Sequence, residues 1–139
     1  MRYLALGDSY TIGESVEPKQ RWPAHLVSML RQEKIEIDDP IIIAQTGWTT
    51  DELEAAIAQQ QPPGKFDLVS LLIGVNNQYR GYSSEIYRLE FRGLLARAIE
   101  FAGRHLDRVI VLSIPDWSVT PFAANRDRSK VAAEIDRFN

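Results

Sequence analysis

The sequence predicts an α/β domain in which helices cover both faces of a parallel β-sheet. Four short apolar runs have the length of buried strands, and each is followed by a turn that contains glycine or proline. Amphipathic segments with helical spacing separate these runs. Strands that alternate with helices pair in parallel through right-handed crossovers. We therefore predict a three-layer α/β/α fold with the flavodoxin-like strand order 2-1-3-4-5, in which the fifth strand is not part of this chain.

The apolar pattern and the turn residues between the runs set the bounds of the predicted elements. The predicted strands cover residues 3–6, 41–44, 67–73 and 108–114. The predicted helices contain the apolar stripes at 24–30 and 53–57, a long segment from about Ser84 to Gly103, and the pattern of Val131, Ile135 and Phe138. No repeat or linker divides the chain, so residues 1–139 are expected to form a single domain.

Composition limits the classes of partner. Hydrophobic residues make up 45% of the chain and charged residues 25%, which is typical of a globular domain. The net charge of -3 provides no broad basic surface, so we expect no nucleic-acid partner. The chain has no cysteine, which excludes thiolate chemistry. Its motifs indicate neither a cofactor nor a metal, and oligomeric state cannot be predicted from them.

The two ends of the chain give expectations about compartment and completeness. Met1-Arg2 leads directly into the first strand, and no apolar run is long enough to span a membrane. We therefore expect a cytoplasmic protein, with a secreted mature form as the alternative. The last predicted helix reaches Asn139 without a capping residue behind it. This ending leads us to expect that the C-terminal part of the domain is missing.

Ser9 lies just past the carboxyl end of the first predicted strand, in the segment Gly7-Asp8-Ser9-Tyr10. In open parallel sheets this edge is where ligands bind. A serine at this position is either a nucleophile or the N-cap of a helix, and the local sequence leaves both interpretations open.

Two further strand ends bring polar groups to the same edge of the predicted sheet. Gly47 follows the second strand, and Gly74-Val75-Asn76-Asn77 follows the third. Acyl transfer needs an exposed hydroxyl and several preorganised N–H donors for the oxyanion of the tetrahedral intermediate. The backbone N–H groups of Ser9 and Gly47 and the side-chain amide of Asn76 are candidates for these donors.

These three segments resemble the sequence blocks of the SGNH hydrolase superfamily, also called GDSL-type esterases and lipases. Gly7-Asp8-Ser9-Tyr10 is similar to the first block, Gly47 to the second and Gly74-Val75-Asn76-Asn77 to the third. The resemblance implies Ser9 as the nucleophile, Gly47 and Asn76 as oxyanion donors, and an α/β/α fold. It also implies a cofactor-independent hydrolase of carboxylic esters, whose substrate is a small molecule, a lipid or an acetylated sugar.

The resemblance has two departures. Asn77 stands where the family usually has aspartate, and the family's last block, Asp-x-x-His, is absent. The histidine of that block is the general base, and the aspartate orients it. Neither His25 nor His105 has an aspartate three positions earlier, so we expect little turnover from this chain alone.

Further residues near the predicted strand ends are candidates for the substrate pocket, although aromatic side chains pack more often than they bind. The loops at 79–84 and 117–125 are expected to set the substrate. The candidate pocket residues are Asp8, Trp48, Asn77, Tyr79 and Trp117.

Two other functions compete with the esterase. The missing histidine favours a non-catalytic binding or scaffold protein on the same fold, whereas retention of Ser9, Gly47 and Asn76 opposes it. A phosphoacceptor or nucleotide-binding domain that uses Asp8 is the third hypothesis. It would need further carboxylates to hold magnesium, and none accompanies Asp8 at the first strand.

Overall fold

A computed structural model describes residues 1–139, in which four parallel strands form one sheet. The sheet has the order β2-β1-β3-β4, and every neighbouring pair is parallel. This order confirms the predicted topology for the four strands of this chain. The strands are β1 (Tyr3–Gly7), β2 (Ile41–Ala44), β3 (Leu68–Leu72) and β4 (Val109–Val111).

Six α-helices surround the sheet, and the two shortest were not predicted. Both short helices begin where a central strand ends, in segments that the sequence indicated only as turns. The helices are α1 (Ser9–Ile12), α2 (Trp22–Gln32), α3 (Thr50–Gln60), α4 (Val75–Tyr79), α5 (Ser84–Phe101) and α6 (Arg128–Phe138). None of them is long and apolar enough to cross a membrane.

Strand β1 shows how the sequence produces three layers. Successive side chains of a strand point to opposite faces of a sheet. Leu4 and Leu6 accordingly join the core cluster that includes residues of α3 and α5. Tyr3 and Ala5 join a second cluster, which includes Val27 of α2. All five residues of β1 are buried, as expected for a central strand covered on both faces.

The fourth strand is shorter than predicted, with three residues in place of seven. Residues Leu106–Arg108 form a 3₁₀ turn immediately before it. Ile110 and Val111 are about half exposed because β4 is the edge strand of this sheet. A third core cluster lies beyond the strand ends, where Trp117 packs with residues of α4, α5 and α6. This cluster supports the loop that carries Trp117.

Capping residues fix where the helices begin. The backbone N–H of Thr49 donates to Glu52 Oε2 at 2.9 Å, as part of a capping box at the start of α3. Ser83 caps α5 and Asp127 caps α6 with side-chain oxygens. The capping box at Thr49 makes α3 begin directly after the turn that follows β2.

Candidate active site

Ser9 is the first residue of α1, directly past the end of β1. The capping position belongs to Asp8, whose Oδ1 accepts the backbone N–H of Tyr10 at 3.0 Å. The Ser9 hydroxyl is therefore not used as the helix cap, and it makes no hydrogen bond within the chain. Of the two interpretations left open by the sequence, the structure favours a serine whose hydroxyl is available for chemistry.

Close backbone packing explains the glycine before this turn. A Cβ on Gly7 would lie 2.2 Å from Thr11 Oγ1 and 2.4 Å from the carbonyl oxygen of Leu72. No other residue fits there without moving β3 or α1. Gly7 thus lets the chain turn tightly from β1 into Ser9.

Asp8 lies beneath the turn rather than in the substrate pocket. Its side chain is buried, and Oδ2 has no partner in hydrogen-bond geometry. Burial raises the pKa of Asp8 to about 6, although the N–H groups of Tyr10 and Gly74 oppose that shift. The Asp8 carboxyl group is used to cap α1, and Asp8 is not among the residues that line the Ser9 pocket.

Gly47 lies in a tight turn after β2. The backbone N–H of Trp48 donates to the carbonyl oxygen of Gln45 at 3.3 Å, which makes Gly47 the third residue of a four-residue turn. The φ angle of Gly47 is +89°. A type II turn needs positive φ at this position, and glycine adopts it without strain.

Asn76 is the second residue of α4, and its side chain reaches the Gly47 turn. Its Nδ2 donates one hydrogen to the carbonyl oxygen of Trp48 at 2.8 Å. A carboxamide nitrogen carries two hydrogens, so this bond leaves the second one available to a ligand. Gly74 precedes α4 with φ +132°, and a Cβ there would lie 2.6 Å from the Tyr87 ring. The turn from β3 into Asn76 therefore also depends on glycine.

A pocket of about 250 Å³ contains both Ser9 and Asn76. The rest of its lining is apolar or aromatic and includes Tyr79 and Trp117, which the sequence predicted. Three of the pocket residues, Tyr10, Val75 and Phe122, were not predicted individually, although Phe122 belongs to the loop that was expected to set the substrate. The pocket is lined by Ser9, Tyr10, Val75, Asn76, Tyr79, Trp117 and Phe122.

Three aromatic rings form one wall of this pocket. The ring centroids of Tyr79 and Trp117 are 5.7 Å apart, and those of Trp117 and Phe122 are 5.6 Å apart. Trp117 Nε1 donates to Gln78 Oε1 at 2.9 Å, and Gln78 Nε2 donates to Glu134 Oε2 at 2.7 Å. The indole is thereby fixed from behind by α4 and α6.

Asn77 and Trp48 are not among the residues that line this pocket, and neither is Gly47. Asn77 is fully buried; its Oδ1 accepts the N–H of Thr50 at 3.2 Å, and its Nδ2 donates to Thr50 Oγ1 at 2.7 Å. These bonds join α4 to the start of α3. Trp48 packs partly buried against the main core cluster. Both side chains support the site from outside.

The two histidines lie away from the Ser9 pocket. His25 is exposed on α2. His105 is exposed just before the 3₁₀ turn that leads into β4, at the edge of the sheet where the strands begin. Ser9 lies at the opposite edge, where β1 ends. Neither histidine is among the residues that line the pocket.

A larger groove of about 720 Å³ lies beside the Gly47 turn and does not include Ser9. Residues 12–18, Arg21 and residues 44–46 line it, and its lining is more polar than that of the aromatic pocket. The chemistry described above belongs to the smaller pocket, because only that pocket contains the Ser9 hydroxyl and the Asn76 amide.

Serine acyl transfer requires a free hydroxyl and a nearby hydrogen-bond donor, and on this parallel α/β/α fold Ser9 and Asn76 bring the two together in one pocket. The model of the GDSL-like Lipase/Acylhydrolase family matches residues 5–139. The chain belongs to this family. A search of the curated proteins finds no match to it.

Solved structures show the same fold at low sequence identity. The psychrotrophic esterase EstA from Pseudoalteromonas sp. is 18% identical with a TM-score of 0.63, over 99% of this chain and 70% of that chain. AlinE4, an SGNH-hydrolase family esterase, is 23% identical with a TM-score of 0.65, over 96% of this chain and 67% of the AlinE4 chain. The acetylxylan esterase Axe2 from Geobacillus stearothermophilus is 19% identical with a TM-score of 0.62, over 99% of this chain and 70% of the Axe2 chain.

Proposed function

We propose that this protein hydrolyses carboxylic esters with Ser9 as the nucleophile. The observation that carries the proposal is that the Ser9 hydroxyl, released from capping by Asp8, shares one pocket with the Asn76 carboxamide. Family membership and the esterases among the similar folds support the same reaction class.

The proposed reaction proceeds through an acyl-enzyme. Ser9 Oγ attacks the ester carbonyl and loses its proton to a base, and the resulting oxyanion accepts hydrogen bonds from the N–H groups of Ser9 and Gly47 and from Asn76 Nδ2. The intermediate collapses, the alcohol leaves with a proton, and the acyl group remains on Ser9. Water then attacks the acyl carbon, which releases the carboxylic acid and returns a hydrogen to Ser9.

The proton acceptor in this scheme is neither His25 nor His105, since neither lines the Ser9 pocket. General-base catalysis contributes roughly 10²–10⁴-fold to a rate of this kind. We therefore propose that residues 1–139 alone turn over esters slowly, while the oxyanion donors and the pocket still bind the acyl group.

The aromatic pocket is proposed to bind the acyl part of the ester. Its volume is about 250 Å³, and its lining is mostly apolar. Each methylene that leaves water for this pocket contributes about 0.8 kcal/mol. We therefore expect longer acyl chains, such as octanoyl, to be preferred over acetyl groups.

A fluorophosphonate probe tests the nucleophile directly, because it forms a covalent adduct with a reactive serine. Since no histidine lines the Ser9 pocket, we expect this reaction to be slow and to need prolonged incubation. We expect mass spectrometry to locate the adduct on the peptide that contains Ser9, and Ser9→Ala to prevent it. Ser28→Ala, on the exposed side of α2, is the matched control and should be labelled like the wild type. Labelling that persists in Ser9→Ala would contradict the proposal.

A non-catalytic binding protein is the second candidate, and the distant positions of both histidines are the observation in its favour. It predicts that a medium-chain fatty acid quenches the fluorescence of Trp117, while Ser9 shows no reaction with the probe. Reaction at Ser9 excludes this candidate.

A further inference from the structure

Helix α4 holds the Gly47 turn at two successive carbonyl groups. Near its N-terminal end, Asn76 Nδ2 donates to the carbonyl oxygen of Trp48 at 2.8 Å. Arg80 directly follows the helix, and its Nη2 donates to the carbonyl oxygen of Gly47 at 2.6 Å. The helix that supplies one proposed oxyanion donor therefore also restrains the turn that supplies another.

Glu52 fixes the Arg80 side chain from the other side. Its Oε2 lies 3.5 Å from Arg80 Nη2. The same oxygen accepts the backbone N–H of Thr49 at 2.9 Å, within the capping box of α3. The Thr49 N–H lowers the pKa of Glu52, so this carboxylate stays charged at neutral pH. The guanidinium is thus connected to the first turn of α3 and to the Gly47 carbonyl.

The Gly47 turn needs such a restraint because glycine has a flexible backbone. The φ angle of +89° requires glycine, and glycine is the residue whose backbone moves most freely. An oxyanion donor stabilises a transition state only if its orientation is fixed before the reaction. Glycine permits this turn, but the Gly47 N–H is therefore poorly fixed unless neighbouring groups hold the turn.

We propose that Arg80 is a positioning residue, which holds the Gly47 turn so that the Gly47 N–H points to the oxyanion. The inference rests on the proposed function, and it assigns Arg80 and its partner Glu52 to the same reaction. Arg80 itself is assigned no contact with the substrate, because its Nη2 donates to the Gly47 carbonyl oxygen and lies beside Glu52.

If Arg80 had a purely structural role, its loss would lower the stability of the fold rather than the reactivity of Ser9. The Arg80 and Glu52 side chains are 40% and 42% exposed, and exposed ion pairs contribute little to stability. The buried bonds between Asn77 and Thr50 join α4 to α3 independently of Arg80. Loss of Arg80 should therefore alter the turn while the fold remains intact.

The test compares Arg80→Met with Arg97→Met in the full chain. Arg97 is a matched control, because its Nε lies 3.0 Å from Glu54 of α3 and the two side chains are 43% and 40% exposed. We expect Arg80→Met to lower the maximal rate of fluorophosphonate reaction at Ser9 by roughly tenfold, with unchanged saturation concentration and unfolding midpoint. Arg97→Met should react like the wild type.

Two further measurements separate positioning from other effects. Arg80→Lys keeps one charged donor and should recover most of the rate. The ¹⁵N order parameter of Gly47 should fall from about 0.85 towards about 0.6 in Arg80→Met and remain unchanged in Arg97→Met. Wild-type reactivity and an unchanged Gly47 order parameter in Arg80→Met would overturn the inference. Slow labelling of Ser9 is expected in the wild type, because no histidine lines its pocket. A wild-type Ser9 that stays unlabelled after prolonged incubation at high probe concentration would instead overturn the proposed function, and this inference with it.

Discussion

The two sides of the Ser9 pocket are built by different interactions. Asn76 lies on the polar side, and hydrogen bonds from Asn76 and Arg80 hold the backbone of the adjoining Gly47 turn. On the aromatic side, Tyr79, Trp117 and Phe122 pack ring against ring. Hydrogen bonds fix direction, which an oxyanion site needs, whereas ring packing fixes only shape and apolar character. The comparison indicates that the polar side determines the reaction and the aromatic side determines the acyl group.

The largest expected effect is on the polar side. Asn76→Ala removes the carboxamide donor, and loss of one oxyanion donor lowers a rate by about 10²–10³, or about 3–4 kcal/mol. We expect a loss of this size in the rate at which a fluorophosphonate modifies Ser9, measured by mass spectrometry at several probe concentrations. A rate within a factor of three of the wild type would show that Asn76 is not an oxyanion donor. It would also contradict the claim that the polar side of the pocket determines the reaction.

Asp8 caps α1 beneath the Ser9 turn, and its contribution to the free energy of unfolding depends on pH. A rise in pKa from 3.8 to about 6, at 1.36 kcal/mol per unit, corresponds to about 3 kcal/mol. The folded state binds the additional proton, so this group makes the free energy of unfolding fall as pH rises from about 4 to about 6.

Urea unfolding between pH 4 and pH 7 measures this effect. Asp8→Asn cannot ionise, so its stability relative to the wild type should increase by about 2 kcal/mol across that interval. The Asn side chain keeps an oxygen that can accept the Tyr10 N–H, which preserves the cap. A constant difference between the two proteins from pH 4 to pH 7 would contradict the raised pKa.

Asn77 offers a contrast with its neighbour Asn76. Asn77→Ala leaves the backbone N–H and the hydroxyl of Thr50 without their Asn77 partner, and such losses cost about 1–3 kcal/mol. We expect the free energy of unfolding to fall by about 2 kcal/mol, with the reactivity of folded Ser9 preserved. If Asn77→Ala lowered reactivity as much as Asn76→Ala, Asn77 would have to be assigned to the reaction rather than to support.

The smallest effect is expected on the aromatic side. Phe122 is 71% exposed, so Phe122→Ala should leave stability unchanged. It should weaken the preference for an octanoyl over an acetyl ester by up to about tenfold, or about 1.4 kcal/mol. Val119→Ala is the control, since Val119 is 76% exposed in the same loop but outside the pocket lining. An equal loss with both substrates would show that Phe122 does not select the acyl chain.

The sequence predicted the sheet because each apolar run had strand length and a turn behind it. It did not predict α1 and α4, since helices of four or five residues have too little periodicity to be recognised. Helix α4 also explains why Asn77 lies outside the pocket lining while Asn76 belongs to it. In an α-helix, neighbouring side chains point about 100° apart, so Asn76 faces the pocket while Asn77 is buried. No motif in the sequence distinguishes Arg80, and only the structure shows its bond to Gly47.

The structure of the phosphonylated protein tests the central claim most directly. The claim predicts phosphorus bonded to Ser9 Oγ, with one phosphoryl oxygen about 2.7–3.1 Å from both Gly47 N and Asn76 Nδ2. An adduct on another residue, or a phosphoryl oxygen directed to solvent away from both donors, would contradict it.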